Sequence, residues 1–451
     1  MRSVPDIARE LLAHALPVLV AQLASIGMMV VDTAVLGHAS AVDLAAVAIG
    51  GGIQVSIVFA LVGVLQALSP LVAHAQGAGR EAEAGALLQQ GFWLAWLLSL
   101  PGMLALHFPD PLLALSPMPA EVEAKVRAYL ATLAWAMPAS LTYRSIYAFC
   151  NGIGRARLLV FIGLANLLLH ALLAWGFALH GWLGVEKGAV GCATSNALIS
   201  WLACFAALTY LLRGPLAARY GVLQRWRRPN WATWRALLHL GLPMGVANFV
   251  EISAFTLMAL FVAPLGAEVL AGHRIVASLS ALTYMVPLSL AIATLSAVGQ
   301  ALGAGEPRRA SRTVAVGIAL AGGVSLLVGA GLWAQAEAVS GVYTDAVQVR
   351  SVATALVAYV AVYQFFDAIQ TIAGYALRAY RVTFLPMLVQ LGCFWGVGLG
   401  GGWYFAYRAT PPWGVSGFWL AATLSLVAAA GSLTPLLAWV IRQRRREGRA
   451  P

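Results

Sequence analysis

Residues 350–377 read RSVATALVAYVAVYQFFDAIQTIAGYAL. This run exceeds the about 20 apolar residues with which a helix crosses about 30 Å of hydrocarbon, yet Asp367 sits near its centre. Around that acid the i−4, i−3, i+3 and i+4 positions are Tyr363, Gln364, Gln370 and Thr371, which a helix gathers into one polar stripe. A carboxylate at mid-bilayer costs at least about 2.5–3.5 kcal/mol, so such a stripe faces an interior and not lipid. One stretch therefore points both to a bilayer as solvent and to a bundle of helices around a polar interior.

Outward from this stretch, apolar runs separated by turn and charge signals predict twelve spans. They fall at 15–37, 44–75, 84–107, 125–150, 158–180, 188–212, 235–263, 269–301, 312–334, 350–377, 383–406 and 413–441. Composition agrees, with 61% hydrophobic and 10% charged residues, where a soluble domain carries about 25% charged residues. The net charge of +11 comes from basic residues in short clusters between apolar runs, so no nucleic acid partner is expected. With the N-terminus inside, the inner segments hold 21 Lys and Arg against five outside. That bias places both termini in the cytoplasm. Of the basic residues only Arg144 and Arg274 are expected within or at the edge of spans. Residues 1–17 mix Arg2, Asp6, Arg9 and Glu10 with apolar positions and read as a surface helix, not a cleaved signal.

The chain also repeats itself. Leu16-Pro17 recurs as Leu242-Pro243, Gly77-Ala78-Gly79 as Gly303-Ala304-Gly305, and the Gly188/Gly191 pair as Gly414/Gly417, each 226 residues on. Arg155 and Arg378, 223 apart, each close a long span at an inner loop. Matches in one order at nearly one offset imply a duplicated unit. The expected organisation is an N-terminal six-helix lobe over 1–212, a basic cytoplasmic linker over 213–235 that reads as a solvated loop, and a C-terminal six-helix lobe over 236–451. Six spans per repeat is even, so both halves insert alike. The pseudo-twofold then runs along the membrane normal, with a binding site between lobes.

Of 17 acids, Asp32, Glu251 and Asp367 alone fall inside spans, and they are the candidates for ion or substrate handling. Asn248, Phe255 and Met258 flank Glu251 at helical spacing, a mixed polar and soft surface suited to irregular lipophilic ligands. Met28 shares a stripe with Asp32. Asn166 and His170, at i and i+4 in the fifth span, and Tyr143, Arg144 and Tyr147 in the fourth are second-rank candidates, since such pairs commonly serve as interhelical glue. The stretch from Gly396 to Gly401 fits a dinucleotide fingerprint, but no strand precedes it and small residues there permit close helix contact. No Walker A, H-E-x-x-H or G-x-S-x-G motif occurs. The eight histidines are scattered, and Cys150, Cys192, Cys204 and Cys393 form no C-x-x-C pair, so an integral-membrane enzyme is disfavoured and the cysteines read as packing residues.

Asp32 within Val-Asp-Thr-Ala-Val-Leu-Gly-His, Glu251 within Asn-Phe-Val-Glu and Asp367 within Gln-Phe-Phe-Asp-Ala-Ile-Gln resemble the multidrug and toxic compound extrusion (MATE) transporters, and among them the NorM-type branch. The resemblance covers essentially the whole chain. It implies export of cationic lipophilic compounds by antiport against Na+ or H+ in a bacterial inner membrane, with membrane lipid around a monomer and no cofactor beyond the coupling ion. Glu251 and Asp367 would form the cation site, open to Na+, with Tyr363 in support and the Tyr284 ring toward the cation. Asp32 would serve the N-terminal lobe, with Met28, Asn166, His170, Asn248, Phe255, Met258 and Gln370 lining the substrate cavity. The DinF-type branch concentrates its acids in the N-terminal lobe, including, in archaeal members, the fifth span, where this chain has Asn166. The rival within the same architecture is a flippase for lipid-linked precursors, which needs a basic cavity. Pro17 and Pro243 would allow bends that accompany rocking of the lobes.

Overall fold

The computed structural model describes residues 3–37, 40–114, 118–222 and 226–447. Arg2, His38, Arg225 and Arg449, read above as topology signals or as part of a motif, lie outside the described residues. The long elements are helices: α1 Val4–Gly37, α2 Ala41–Gly77, α3 Glu81–His107, α4 Ala120–Ala134, α5 Met137–Gly152, α6 Arg157–Leu179 and α7 Ala189–Arg213. After these come α8 Trp231–Leu265, α9 Ala267–Gly303, α10 Pro307–Ala334, α11 Val347–Ala379, α12 Phe384–Arg408 and α13 Val415–Glu447. Among the described residues ten helices are long and apolar enough to cross a membrane. The spans expected over 84–107 and 125–150 are helical but outside those ten. In α3 the polar Gln89 and Gln90 interrupt the apolar run, and the other span is broken at Trp135 and Ala136 into α4 and α5, of 15 and 16 residues. Large apolar side chains such as Phe161, Leu168 and Leu327 stand exposed on helix faces. Buried positions instead take in His170, Asp367 and Gln370. Hydrocarbon as the surrounding solvent accounts for both.

The chain divides into two compact units, Val20–Gly245 and Met1–Leu19 with Val246–Pro451. The division falls inside α1 and α8, two or three residues after Pro17 and Pro243, and not at the basic stretch 213–235. That stretch is also no free solvated loop. Gln89 donates to the Val222 carbonyl and accepts from the Arg227 amide, Gln90 accepts from the Asn230 amide at 2.8 Å, and Trp93 donates to the Arg227 carbonyl at 3.1 Å. Trp226, Arg227, Arg228 and Trp231 nonetheless keep exposed side chains. These bonds need the glutamines inside α3, which is why that span is less apolar than its neighbours.

In the Val20–Gly245 unit, Leu65, Leu68, Leu94, Leu130, Leu141 and Leu237 form the core. There α2 and α8 cross so closely that a Cβ on Gly63 would lie 2.3 Å from the Gly245 Cα; lacking a side chain at both positions, the backbones can touch. In the other unit Ile7, Leu11 and Ala15, spaced as one helical stripe, pack against Leu290, Ala291 and Ile372. Residues 4–17 of the expected surface helix are the first part of α1, with that one stripe packed and Val4, Leu12 and Leu16 exposed on the other faces, and Glu10 lies 3.5 Å from Arg309.

The sequence repeat is a repeat of local geometry. After α2 and after α9, Gly79 and Gly305 take φ of 70° and 72°. The amides of Arg80 and Glu306 return to the carbonyls of Ala75 and Ala301 at 2.9 and 2.8 Å, the closing pattern of a left-handed helix cap. The turns after α5 and α11 likewise match: Gly154 and Arg381 both have positive φ, and Arg155 and Val382 donate to Cys150 and Leu377 at 2.8 and 2.9 Å. Their offset is 227, so Arg155 corresponds to Val382 and Arg378 to Asn151. The expected pairing of Arg155 with Arg378 is therefore corrected.

Candidate functional site

Within the Val20–Gly245 unit, α1 carries Asp32 into the bundle, where it is 7% exposed. His170 of α6 places Nε2 3.0 Å from one carboxylate oxygen, and Asn196 of α7 donates to the other at 3.1 Å. The second ring nitrogen of His170 lies 2.9 Å from the Ser195 hydroxyl. Three helices thus converge on one acid, and both of its oxygens are engaged. Met28 and Asn166, each one turn from this cluster on its own helix, line a neighbouring cavity with Arg144.

In the unit completed by Val246–Pro451, α11 buries Asp367 to 3% exposure. Its carboxylate accepts from the Gln370 amide at 3.0 Å, which also donates to the Thr371 hydroxyl, while Gln390 of α12 donates to Gln370 at 3.4 Å. Glu251 of α8 is hydrogen bonded to Tyr284 of α9, and its charge acts on that of Asp367. Tyr363 is buried beside both acids, its ring 6.4 Å from that of Phe255 and 6.0 Å from that of Trp419. Two acids, two tyrosines and two glutamine amides from four helices gather in this unit. The set suits a proton or a weakly held monovalent cation, since hard cations take oxygen ligands. Among the described residues no group of three or more His, Cys, Asp and Glu could hold a metal ion.

The MatE family model matches residues 17–175 and again 243–403, stretches that begin 226 residues apart. The chain belongs to the MatE family. It is 47% identical to the probable multidrug resistance protein NorM of Aromatoleum aromaticum over 97% of this chain and 94% of that protein. It is 34% identical to the multidrug resistance protein PmpM of Pseudomonas aeruginosa, covering 94% and 89%. The crystal structure of the Vibrio cholerae MATE transporter VcmN in the bent form superposes with a TM-score of 0.84 at 18% identity, covering 98% and 99%.

In this MatE chain the sequence-predicted residues fall into two groups. Glu251, Asp367, Tyr284, Tyr363 and Gln370 gather in one unit; Asp32 and His170 meet in the other, with Met28 and Asn166 alongside. Met258 does not join them: it is buried among Val262, Val276 and Leu356 as core. Asn248 is turned to Arg378, whose guanidinium donates to it at 3.3 Å and lies 4.3 Å from the centre of the Tyr375 ring. Arg378 was expected in an inner loop. Instead it is only 7% exposed and its charge reaches Glu251, because α11 runs one residue past it and the long side chain folds back along the helix. Ser195 and Asn196 were missed, although the polar run Thr194-Ser195-Asn196 inside an apolar span was a visible signal.

Proposed function

We propose that this chain is a secondary active multidrug exporter of a bacterial inner membrane, exchanging lipophilic cations for Na+ or H+ by alternating access. In this reading twelve helices cross the bilayer as two six-helix lobes about a pseudo-twofold along the membrane normal, with both termini in the cytoplasm and the protein acting as a monomer. The relatives named multidrug resistance proteins support the substrate class. The observation that carries the mechanism is the pairing of half-buried Glu251 with buried Asp367 in one cluster. Two carboxylates forced together in a partly dry interior favour taking up a cation, and a cationic compound and the coupling ion then compete for the same negative charge. Occupancy by one or the other makes exchange obligatory. A charge entering down about 100 mV supplies about 2.3 kcal/mol. Pro17 and Pro243 would supply the bends.

The flippase reading needs a net basic interior. Buried Arg378 offsets one acid of the Glu251–Asp367 pair and leaves the cluster negative, which favours cations. Uptake of an ethidium-like cation into inverted vesicles, with Na+ and pH gradients imposed separately, tests the proposal. Uptake driven by either gradient supports it; preferred transport of an anionic dye, with none of the cation, overturns it.

A further inference from the structure

The basic stretch before α8 lies against α3, and α3 shows at what depth. It is 27 residues long, about 40 Å of helix against about 30 Å of hydrocarbon. Its acids stop at Glu83 and its large apolar side chains begin at Leu87 and Leu88. Gln89, Gln90 and Trp93, which hold the stretch, therefore stand within two turns of the point where α3 passes from headgroups into hydrocarbon. At that level irregular backbone is tolerated only where its polar groups are paired, and here they are. Besides the bonds that tie Arg227 to Gln89 and Trp93, Gln90 donates to the Arg228 carbonyl at 3.0 Å and accepts from the Asn230 amide. Asn230 in turn caps α8, accepting from the Ala232 amide at 2.9 Å. In bulk water the same backbone groups would be satisfied without buried glutamines.

The side chains of this pinned segment face away from the protein. Trp226 is 51% and Trp231 70% exposed, and Arg227, Arg228 and Arg235 are exposed with them. Trp226 is still held in place, its ring stacked on Phe92 at 6.4 Å and edge-on to Trp93 at 5.8 Å. Trp231 and Arg235, four apart at the start of α8, share one face of that helix. The acids at the start of α3 are already engaged, Glu81 with Arg219 and Glu83 with Arg80. Among the described residues Arg227, Arg228 and Arg235 have no ion pair.

Three guanidinium groups without acids, beside two indoles at headgroup height, fit one kind of partner. Indoles favour the boundary between acyl chains and headgroups, and guanidinium groups bind phosphate oxygens through paired donors. A soluble phosphate would gain nothing from the indoles, whereas a phospholipid uses both. The uncompensated positive charge selects a headgroup with net negative charge. We infer that residues 226–235 form a docking site for an anionic phospholipid, with Arg227, Arg228 and Arg235 on its phosphate and Trp226 and Trp231 beside its chains. The depth of the site rests on the reading above that α3 crosses the bilayer, and its place in the inner leaflet on the orientation proposed there.

Native mass spectrometry of the purified protein in detergent, titrated with phosphatidylglycerol or phosphatidylcholine, tests the site. The unmutated protein should bind one phosphatidylglycerol about tenfold more tightly than phosphatidylcholine. Arg227→Gln/Arg228→Gln should erase that preference. Arg442→Gln/Arg446→Gln, which removes the same charge from exposed positions on α13, should keep it within about twofold. Equal loss in both variants would reduce the effect to general surface charge and overturn the site, as would no preference in the unmutated protein or no loss in either variant. Glycerol 3-phosphate, a headgroup without chains, should not displace the lipid at equal concentration; displacement would make the occupant a soluble phosphate and overturn the lipid assignment. The leaflet is checked separately, because the native cysteines are buried: an impermeant maleimide should label Arg228→Cys in inverted vesicles and not in intact cells. Labelling from outside overturns the inner leaflet and the orientation behind it, while the titration still judges the site. Binding is read without transport, so failed dye uptake overturns the exporter reading alone.

Discussion

His170 Nε2 lies 3.0 Å from Asp32 Oδ1, and the far side of the same ring is held 2.9 Å from the Ser195 hydroxyl. A neutral ring protonated on Nε2 satisfies both neighbours, donating to the acid and accepting from the serine. The histidine is fully buried, so deleting it leaves a buried carboxylate short of a donor. His170→Phe should cost about 3–5 kcal/mol, read as a fall in melting temperature in detergent. Ser195→Ala should cost about 1 kcal/mol, and His170→Gln, which keeps a donor, should lie between. A larger loss at Ser195 than at His170 would show that the ring is not held for the sake of Asp32.

Glu251→Gln and Asp367→Asn keep the shape of the side chains and remove the charge that takes up the coupling cation. Each should abolish gradient-driven export while the protein still reaches the membrane at normal levels, checked by vesicle uptake beside an immunoblot. Normal efflux by both variants would sink the cluster as the coupling site.

Gly63→Ala adds a methyl group where the backbone of Gly245 stands 2.3 Å away, and backbone cannot step aside as a flexible side chain can. The crossing of α2 and α8 should loosen at a cost of about 1–3 kcal/mol. Gly323→Ala, with nothing within 4 Å of the new carbon, is the control and should leave the melting temperature unchanged within error. Equal behaviour of the two variants would mean that the crossing yields.

Asp32, Glu251 and Asp367 could be read from sequence because a charge inside an apolar run has few innocent explanations. The repeat could be read because glycine caps demand glycine: positive φ recurs at Gly79 and Gly305 whatever surrounds them. What stayed hidden depends on side-chain reach and on long-range pairing. Arg378 is one residue short of a helix end and reads as an interfacial base; only its fold-back onto Tyr375 and Asn248 brings it inside. The basic stretch after Arg213 reads as solvated because its guanidinium groups are, while its backbone is tied to glutamines more than 130 residues earlier. Met258 has the composition of a cavity wall, and only packing shows it to be core.

Asp32→Asn separates the two halves of the mechanism. Both oxygens of Asp32 already receive hydrogen bonds, from His170 and from Asn196; Asp367 is hydrogen bonded to Gln370 and Thr371 but lies beside a second acid whose charge acts on it. A bound cation therefore gains more from the Glu251–Asp367 pair, where negative charge is concentrated, than from an acid whose charge is already dispersed. An asparagine at position 32 can still accept from His170, but its amide faces the amide of Asn196, so one bond is lost and the cavity wall near Met28 shifts. Drug affinity should fall, while release of the coupling ion on drug addition should persist, because that ion still meets Glu251 and Asp367. The measurement is ion release from the reconstituted variant at a drug concentration that saturates it. Silence there, with drug demonstrably bound, would move the coupling step to the half of the chain that carries Asp32.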